Sequence, residues 1–186
     1  MNPQQNKKAK KVILKDGRHI RFVKKGYWEY IERKNCSAIV IILAMTDKKE
    51  VIFVEQYRPP VDKNVIEFPA GLVNDGKSRK KETLIEGARR ELLEETGYKA
   101  GRMIKVLHGP AASGISSDML TVVVAYDLKK VGSGGGDELE SIKVHTVLFD
   151  CVEDWMEEMR KKGRLVSPRI YAGLYLLKKY NKTIIN

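Results

Sequence analysis

GKSRKKETLIEGARRELLEETGY, residues Gly76 to Tyr98, is the stretch on which the rest of the chain turns. Its second half, Arg90-Glu91-Leu92-Leu93-Glu94-Glu95-Thr96-Gly97, reads as the last turns of a helix closed by a glycine. At ~100° per residue, Glu91, Glu94 and Glu95 share about one third of the helix circumference. Like charges at these spacings repel, and the helix macrodipole disfavours anions at that end. A helix shaped by stability alone would carry Lys or Arg there. The arrangement calls for a cation against this face, and a hard divalent ion bound by oxygen meets that need. The competing reading of the same residues is a solvated acidic patch in which Arg90 pairs with Glu86 and Glu94.

Working outward, Ser78 is the expected N-cap, and Leu84, Ile85, Ala88 and Leu92 give the helix an apolar stripe. Gly97 is placed as the residue just past its end. Upstream, Val12-Ile13-Leu14 and His19-to-Val23 flank Asp16-Gly17, a hairpin signal in which glycine would supply a positive φ. With the alternating Tyr27-to-Arg33 segment they predict a small antiparallel platform. Ala38-to-Ala44 and Val51-to-Gln56 read as buried strands by their β-branched content. A loop and one short strand, Val65-to-Gly71, are expected to lead to the Asn74-Asp75-Gly76 turn. Beyond the helix, Met103-to-His108, Leu120-to-Tyr126 and Ile142-to-Phe149 read as strands. Gly132-to-Asp137, GSGGGD, reads as a flexible low-complexity loop. Helices from Val152 to about Lys162 and from Pro168 to about Tyr180 close the chain. This order predicts an α+β sandwich with a mixed sheet rather than a doubly wound one. We divide it into residues 1–34, a basic tail plus platform, and residues 35–186, the main domain.

A chain of 186 residues with 42% apolar content can bury one domain's core. Its formal net charge of +11 suits an anionic partner such as a phosphate ester, nucleic acid or acidic surface. Part of that charge lies in the opening MNPQQNKKAKK, which reads as a solvated tail. Cys36 and Cys151 fit neither a disulfide framework nor a zinc motif. His19, His108 and His145 show no ligand spacing. The longest apolar run, Ala38 to Met45, is too short to span a bilayer, and no secretory signal opens the chain. A cytoplasmic protein is the expectation.

Gly76, Glu82, Arg90-Glu91-Leu92, Glu94-Glu95, Gly97 and the terminal Tyr98 match the spacing of the Nudix box, so the chain resembles the Nudix hydrolases. Glu55-Gln56-Tyr57-Arg58-Pro59-Pro60 and Glu67-Phe68-Pro69-Ala70-Gly71 are similar to segments of the ADP-ribose pyrophosphatase branch, and that likeness runs from about Tyr27 to the C-terminus. The resemblance implies an α/β/α sandwich and a hydrolase that cleaves a diphosphate linked to another group. Its cofactor would be Mg2+, with Mn2+ as substitute. Carried over residue by residue, the metal ligands would be the Ala70 carbonyl, Glu91 and Glu95, with Glu94 assisting and Arg90 orienting the cluster. Glu82 falls at the helix start in a supporting role. The branch takes its general base from a mobile loop, here Gly132 to Ser141, with Glu138 the first candidate and Glu140 the second.

On the substrate side, the resemblance has Trp28 stacking on the base across a homodimer interface, with Glu29 and Arg33 as neighbours. Packing within the platform is the competing role for Trp28. Arg58 would hold a phosphate, or else pair with Glu67 or Glu55, and Glu67 belongs to the same substrate segment. Asp118 would contact the terminal sugar or cap a turn. Where the branch carries a proline sixteen residues after the box glycine, this chain has Ser113, which admits other sugar nucleotides such as GDP-mannose. The expected reaction is hydrolysis of ADP-ribose to AMP and ribose 5-phosphate, with no membrane partner and no nucleic acid. Two alternatives stay open: action on RNA 5′ ends, and a silent nucleotide-sensing or nucleic-acid-binding module.

Overall fold

The computed structural model describes residues 8–74, 81–136 and 140–182. Three short antiparallel strands come first, β1 (Lys11–Asp16), β2 (Ile20–Lys25) and β3 (Trp28–Arg33), in sheet order β1-β2-β3. The hairpin at Asp16-Gly17 forms, but Gly17 does not take the expected positive φ. That conformation belongs to Gly26, φ 62°, in the β2–β3 turn. Gly17 serves a close approach instead: a Cβ there would lie 2.8 Å from the Ile20 carbonyl oxygen.

The main domain contains β4 (Ala38–Ala44), β5 (Glu50–Arg58), β6 (Lys63–Glu67), β7 (Ala70–Val73) and then the helix α1 (Leu84–Thr96). The long strands β8 (Tyr98–Pro110) and β9 (Met119–Lys130) follow, then β10 (Ile142–Leu148), α2 (Val152–Lys161), β11 (Leu165–Val166) and α3 (Arg169–Lys182). Two four-stranded sheets result, ordered β10-β5-β6-β11 and β7-β4-β9-β8. The β4–β9 and β6–β11 pairs are parallel and the other pairs antiparallel, so both sheets are mixed. The α+β sandwich expected from the sequence is the fold observed.

One expected strand is two. Val65 to Gly71 breaks at Phe68-Pro69, leaving β6 in one sheet and β7 in the other. Pro69 has no N–H to donate, and its carbonyl accepts from the Ile42 N–H at 2.8 Å, so the chain changes sheets there. The helix start also shifts. Thr83 is the N-cap of α1, its hydroxyl accepting from the Glu86 N–H while the Glu86 carboxylate accepts from the Thr83 N–H. Ser78, the expected cap, lies outside the described residues.

The helices sandwich the sheets. On one side α1 buries Ala88 and Leu92 against Val40, Ile42, Ile52, Val73 and Val123. On the other, Met156 of α2 and Ile170 and Leu177 of α3 pack on Leu43, Phe53, Phe68 and Val122. Alternation along β4 and β5 sends successive side chains to opposite cores. The acidic face of α1 thereby comes to rest on the crossover between β6 and β7.

Candidate active site

Glu91 and Glu95 leave α1 toward the start of β7 and are buried, with 7% and 4% of their surface exposed. The Ala70 N–H donates to Glu95 Oε2 at 3.1 Å. Gly71 lies against Glu91 so closely that a Cβ there would sit 1.9 Å from the carboxylate carbon. A side chain at Gly71 would push the Glu91 carboxylate off the strand. The segment Phe68-Pro69-Ala70-Gly71 is therefore a floor shaped to two carboxylates.

Arg90 ties the acidic groups together. Its Nη1 donates to Glu91 Oε1 at 2.9 Å and Glu94 Oε2 at 3.0 Å, and its Nη2 to Glu82 Oε1 at 2.8 Å and the Leu72 carbonyl at 2.9 Å. Nε reaches Glu82 Oε2 at 3.2 Å. The Glu82 carboxylate foremost, and then that of Glu91, raise the guanidinium's pKa further and fix its charge. Glu82, expected at the helix start, lies just before the cap of α1 and accepts from Arg90. It is clasped in turn by Asn74 (φ 56°), whose N–H donates to Glu82 Oε1 at 3.0 Å and whose Oδ1 accepts from the Glu82 N–H at 2.8 Å.

Glu95 is the electrostatic anomaly. Burial pushes its carboxyl up from 4.5 to about 8; the Ala70 N–H pulls down, the negative charges of Glu91 and Glu140 push further up, and Arg58 pulls down. Arg58 itself is bound to Glu67, Nε to Oε2 at 2.8 Å, the pairing that the sequence offered as the alternative to phosphate binding. Among the described residues no three acidic, His or Cys side chains already converge on one metal position. The donors at hand are nonetheless of one hard kind, carboxylate oxygens beside Ala70. A buried carboxylate among anions is a place that a divalent cation relieves. The residues fit such an ion.

The segment after β9 caps the acidic end of α1. Gly136 N–H donates to the Glu94 carbonyl at 3.1 Å, Gly135 N–H to Glu95 at 2.9 Å, and Val131 and Gly132 N–H to Gly97 at 2.9 and 3.2 Å. Lys130 Nζ donates to the Thr96 carbonyl at 2.7 Å. Residues 132–136 of the loop expected to be flexible are thus hydrogen-bonded to the end of α1. This docking also answers the unfavourable dipole, since donors and a lysine gather where the helix ends. Glu138 lies outside the described residues; Glu140 is exposed, and its charge reaches Glu95.

The platform meets the main domain through the loop between β8 and β9. Ile31 N–H donates to the Ile115 carbonyl at 2.9 Å, and Ser117 N–H to the Ile31 carbonyl at 3.1 Å. Trp28 remains 42% exposed while its Nε1 donates to the Gly114 carbonyl at 3.3 Å. Arg33 and Asp118 are brought together, Nη2 to Oδ2 at 3.4 Å, so two residues expected to face substrate face each other. Glu29 is exposed, opposite Lys24 across the β2–β3 ladder. Ser113 lies in the same fastened loop.

The NUDIX domain family model matches residues 34–161. The chain belongs to the Nudix hydrolase family. Among curated relatives, the Nudix chain is 31% identical over 122 residues to the methanol dehydrogenase activator of Bacillus methanolicus, covering 65% of this chain and 63% of that protein's length. It is 30% identical over 137 residues to the ADP-ribose pyrophosphatase of Bacillus subtilis, covering 74% of this chain and 70% of the relative. To the ADP-sugar pyrophosphatase of Mus musculus it is 32% identical over 158 residues, covering 71% and 70%. The solved structure of an ADP compounds hydrolase superposes with a TM-score of 0.68 at 21% identity, covering 94% of this chain and 92% of that one, which supports the Nudix fold. No helix among the described residues is long and apolar enough to cross a membrane.

Two parts of the Nudix site escaped the sequence reading. The Asn74 clasp left a trace, because asparagine tolerates the left-handed conformation found there. The close fit of Gly71 to Glu91 left none, because it depends on how α1 lies on β7.

Proposed function

We propose that this Nudix hydrolase cleaves the diphosphate of nucleoside diphosphate sugars, with ADP-ribose the leading substrate and GDP-mannose a second. The observation that carries the reading is the burial of Glu95 among negative neighbours, beside Glu91 and the Ala70–Gly71 floor. Glu91, Glu95 and the Ala70 carbonyl would hold Mg2+ or Mn2+, with Glu94 assisting. A divalent ion there supplies charge neutralisation of the diphosphate and acidifies a water. Arg90, pinned by Glu82, keeps Glu91 and Glu94 from rotating away. An acidic residue of the loop, Glu138 first or else Glu140, takes the proton as water attacks one phosphorus and the bridging bond breaks, giving AMP and ribose 5-phosphate. Arg58, anchored by Glu67, sets positive charge beside Glu95.

Trp28, with its ring partly exposed above the β8–β9 loop, is suited to stack on a base; such stacking is worth ~1–3 kcal/mol in nucleic-acid sites. Glu29 follows Trp28 in β3, and Arg33 at the end of that strand pairs with Asp118. Val12, Ile13, Leu14, Ile20 and Phe22 leave apolar side chains exposed on the platform, which supports a homodimer joined through it.

The test is a panel of ADP-ribose, GDP-mannose, other sugar nucleotides and capped RNA, incubated with Mg2+ and with EDTA, products resolved by chromatography. The expected result is AMP and ribose 5-phosphate from ADP-ribose, abolished by EDTA. Cleavage of capped RNA with every sugar nucleotide left intact refutes the assignment.

A further inference from the structure

Three glycines after β9, Gly134, Gly135 and Gly136, hold positive φ, and their contacts lead to the candidate site. Gly134 has φ 70°, and a Cβ on it would lie 2.5 Å from the Glu95 carbonyl oxygen and 2.7 Å from the Thr96 Cα. Gly97, also at φ 70°, meets the same segment from the helix side, where a Cβ would be 2.1 Å from the Gly132 carbonyl oxygen. Backbone therefore lies directly on backbone, without side chains between. Gly135 then links both neighbours: its N–H donates to the Glu95 carbonyl at 2.9 Å, and its carbonyl accepts from the Ile142 N–H at 3.1 Å. Gly136, at φ 85°, lies under Glu140, with a hypothetical Cβ 2.7 Å from Glu140 Cβ and 3.0 Å from its Oε2. Gly132 differs from these, since a Cβ there meets nothing within 4 Å.

We propose that Gly134, Gly135 and Gly136 form a seat on the end of α1 that positions Glu140 near Glu95, making them positioning residues for the reaction. The inference rests on the reading that Glu140 serves hydrolysis. Its physical basis is twofold: main-chain bonds run from Glu95 to Gly135 to Ile142, two residues beyond Glu140, and Gly136 lies directly against the Glu140 Cβ. A methyl group at Gly134 forces the seat off the helix and Glu140 away from Glu95. A methyl group at Gly136 displaces Glu140 while leaving the contact with the helix in place.

The experiment has two readouts on the full chain. Amide hydrogen exchange, measured by NMR without metal, should show the Gly135 and Gly136 N–H groups at least about tenfold slower than the unprotected rate, and Gly134→Ala should remove that protection. With ADP-ribose and Mg2+, Gly134→Ala should lower kcat by about a hundredfold with KM nearly unchanged, as expected of a reacting group displaced by about 1 Å. Gly136→Ala should also lower kcat, yet keep the Gly135 amide protected. It provides the test should Gly134→Ala fail to fold. Gly132→Ala is the control and should match the unaltered protein in both measurements.

Unprotected Gly135 and Gly136 amides in the unaltered protein overturn the seat. So does a Gly134→Ala or Gly136→Ala enzyme of normal kcat when Glu140→Gln has lost activity. A Glu140→Gln enzyme of full activity overturns the base assignment and this positioning role together, and the amide exchange separates that outcome from the loss of the seat itself.

Discussion

Glu55 and Glu95 are equally buried, each 4% exposed, on opposite faces of the sandwich. Glu55 looks toward α2 and α3. Its Oε1 accepts from Asn64 Nδ2 at 2.9 Å and Arg164 Nε at 3.0 Å, and its Oε2 is 2.9 Å from His145 Nε2. Burial works to raise its pKa, but the bonds from His145, Asn64 and Arg164 outweigh it and the carboxyl ends below its ordinary value. Glu95 looks toward α1's floor, where among the described residues the Ala70 N–H is its donor and the nearest charges are mostly negative. Its carboxyl is pushed up to about 8. Burial alone does not mark a functional carboxylate; burial without compensating donors does. Glu55 is a finished structural joint, and Glu95 lacks the donors that would make it one.

The largest effect expected from this contrast is at Glu95. Glu95→Gln should lower kcat at least about a hundredfold with Mg2+ present, read in steady-state assays. In EDTA the same change should not harm the fold. The folded state holds a proton on Glu95 up to about pH 8 while the unfolded chain releases it near 4.5, so the metal-free protein loses stability as pH rises through that window. Thermal melts in EDTA from about pH 5 to about pH 9 should show a decline on the order of a few kcal/mol, which Glu95→Gln flattens and Mg2+ offsets in the unaltered protein. A variant that melts like the unaltered protein at every pH breaks the contrast.

Glu55→Leu should do the reverse. It strands Arg164, Asn64 and His145 and should cost ~3–5 kcal/mol in urea unfolding, because breaking a buried ion pair leaves its partner uncompensated. The rate per folded molecule should not change, since Glu55 lies on the face away from α1. Its lowered carboxyl adds a sign opposite to that of Glu95. The stabilisation is present above the unfolded value of 4.5 and lost as pH falls through the folded one. A large loss of kcat in folded Glu55→Leu would place that carboxylate in the active site after all.

The contrast also explains what the sequence made legible. Spacing announced Glu91, Glu94 and Glu95 as one helical face, because helical periodicity is local and needs no knowledge of neighbours. The Arg90–Glu94 pair, half of the competing Glu86 and Glu94 reading, is local in the same way, whereas Glu82 lies before the helix cap, where helical periodicity does not reach. The knot around Glu55 joins residues 55, 64, 145 and 164, which come together only when β10 and the turn after α2 are laid on β5. The break at Pro69 was written in the sequence as a residue that cannot donate, yet its consequence, one strand becoming two in different sheets, depends on β4 lying alongside. GSGGGD shows the limit of composition most plainly. Glycine was read as freedom, whereas its missing side chain here admits contact between the loop backbone and the end of α1.

The smallest effect expected is at His145, and it measures how redundant the joint is. His145→Phe removes the bond to Glu55 Oε2 while retaining a ring to pack near Trp155, whose centroid lies 5.2 Å from the histidine's. Glu55 keeps Asn64 and Arg164, so the change should cost only ~1 kcal/mol, the net worth of one hydrogen bond. Because the lost bond is one of those lowering the Glu55 carboxyl, the acid limb of the unfolding curve should also move to higher pH. If His145→Phe costs as much as Glu55→Leu, Asn64 and Arg164 do not compensate for burial by themselves. In that case Glu55 depends on a single partner, as Glu95 depends on Ala70, and the two carboxylates differ in the charge around them rather than in the number of their donors.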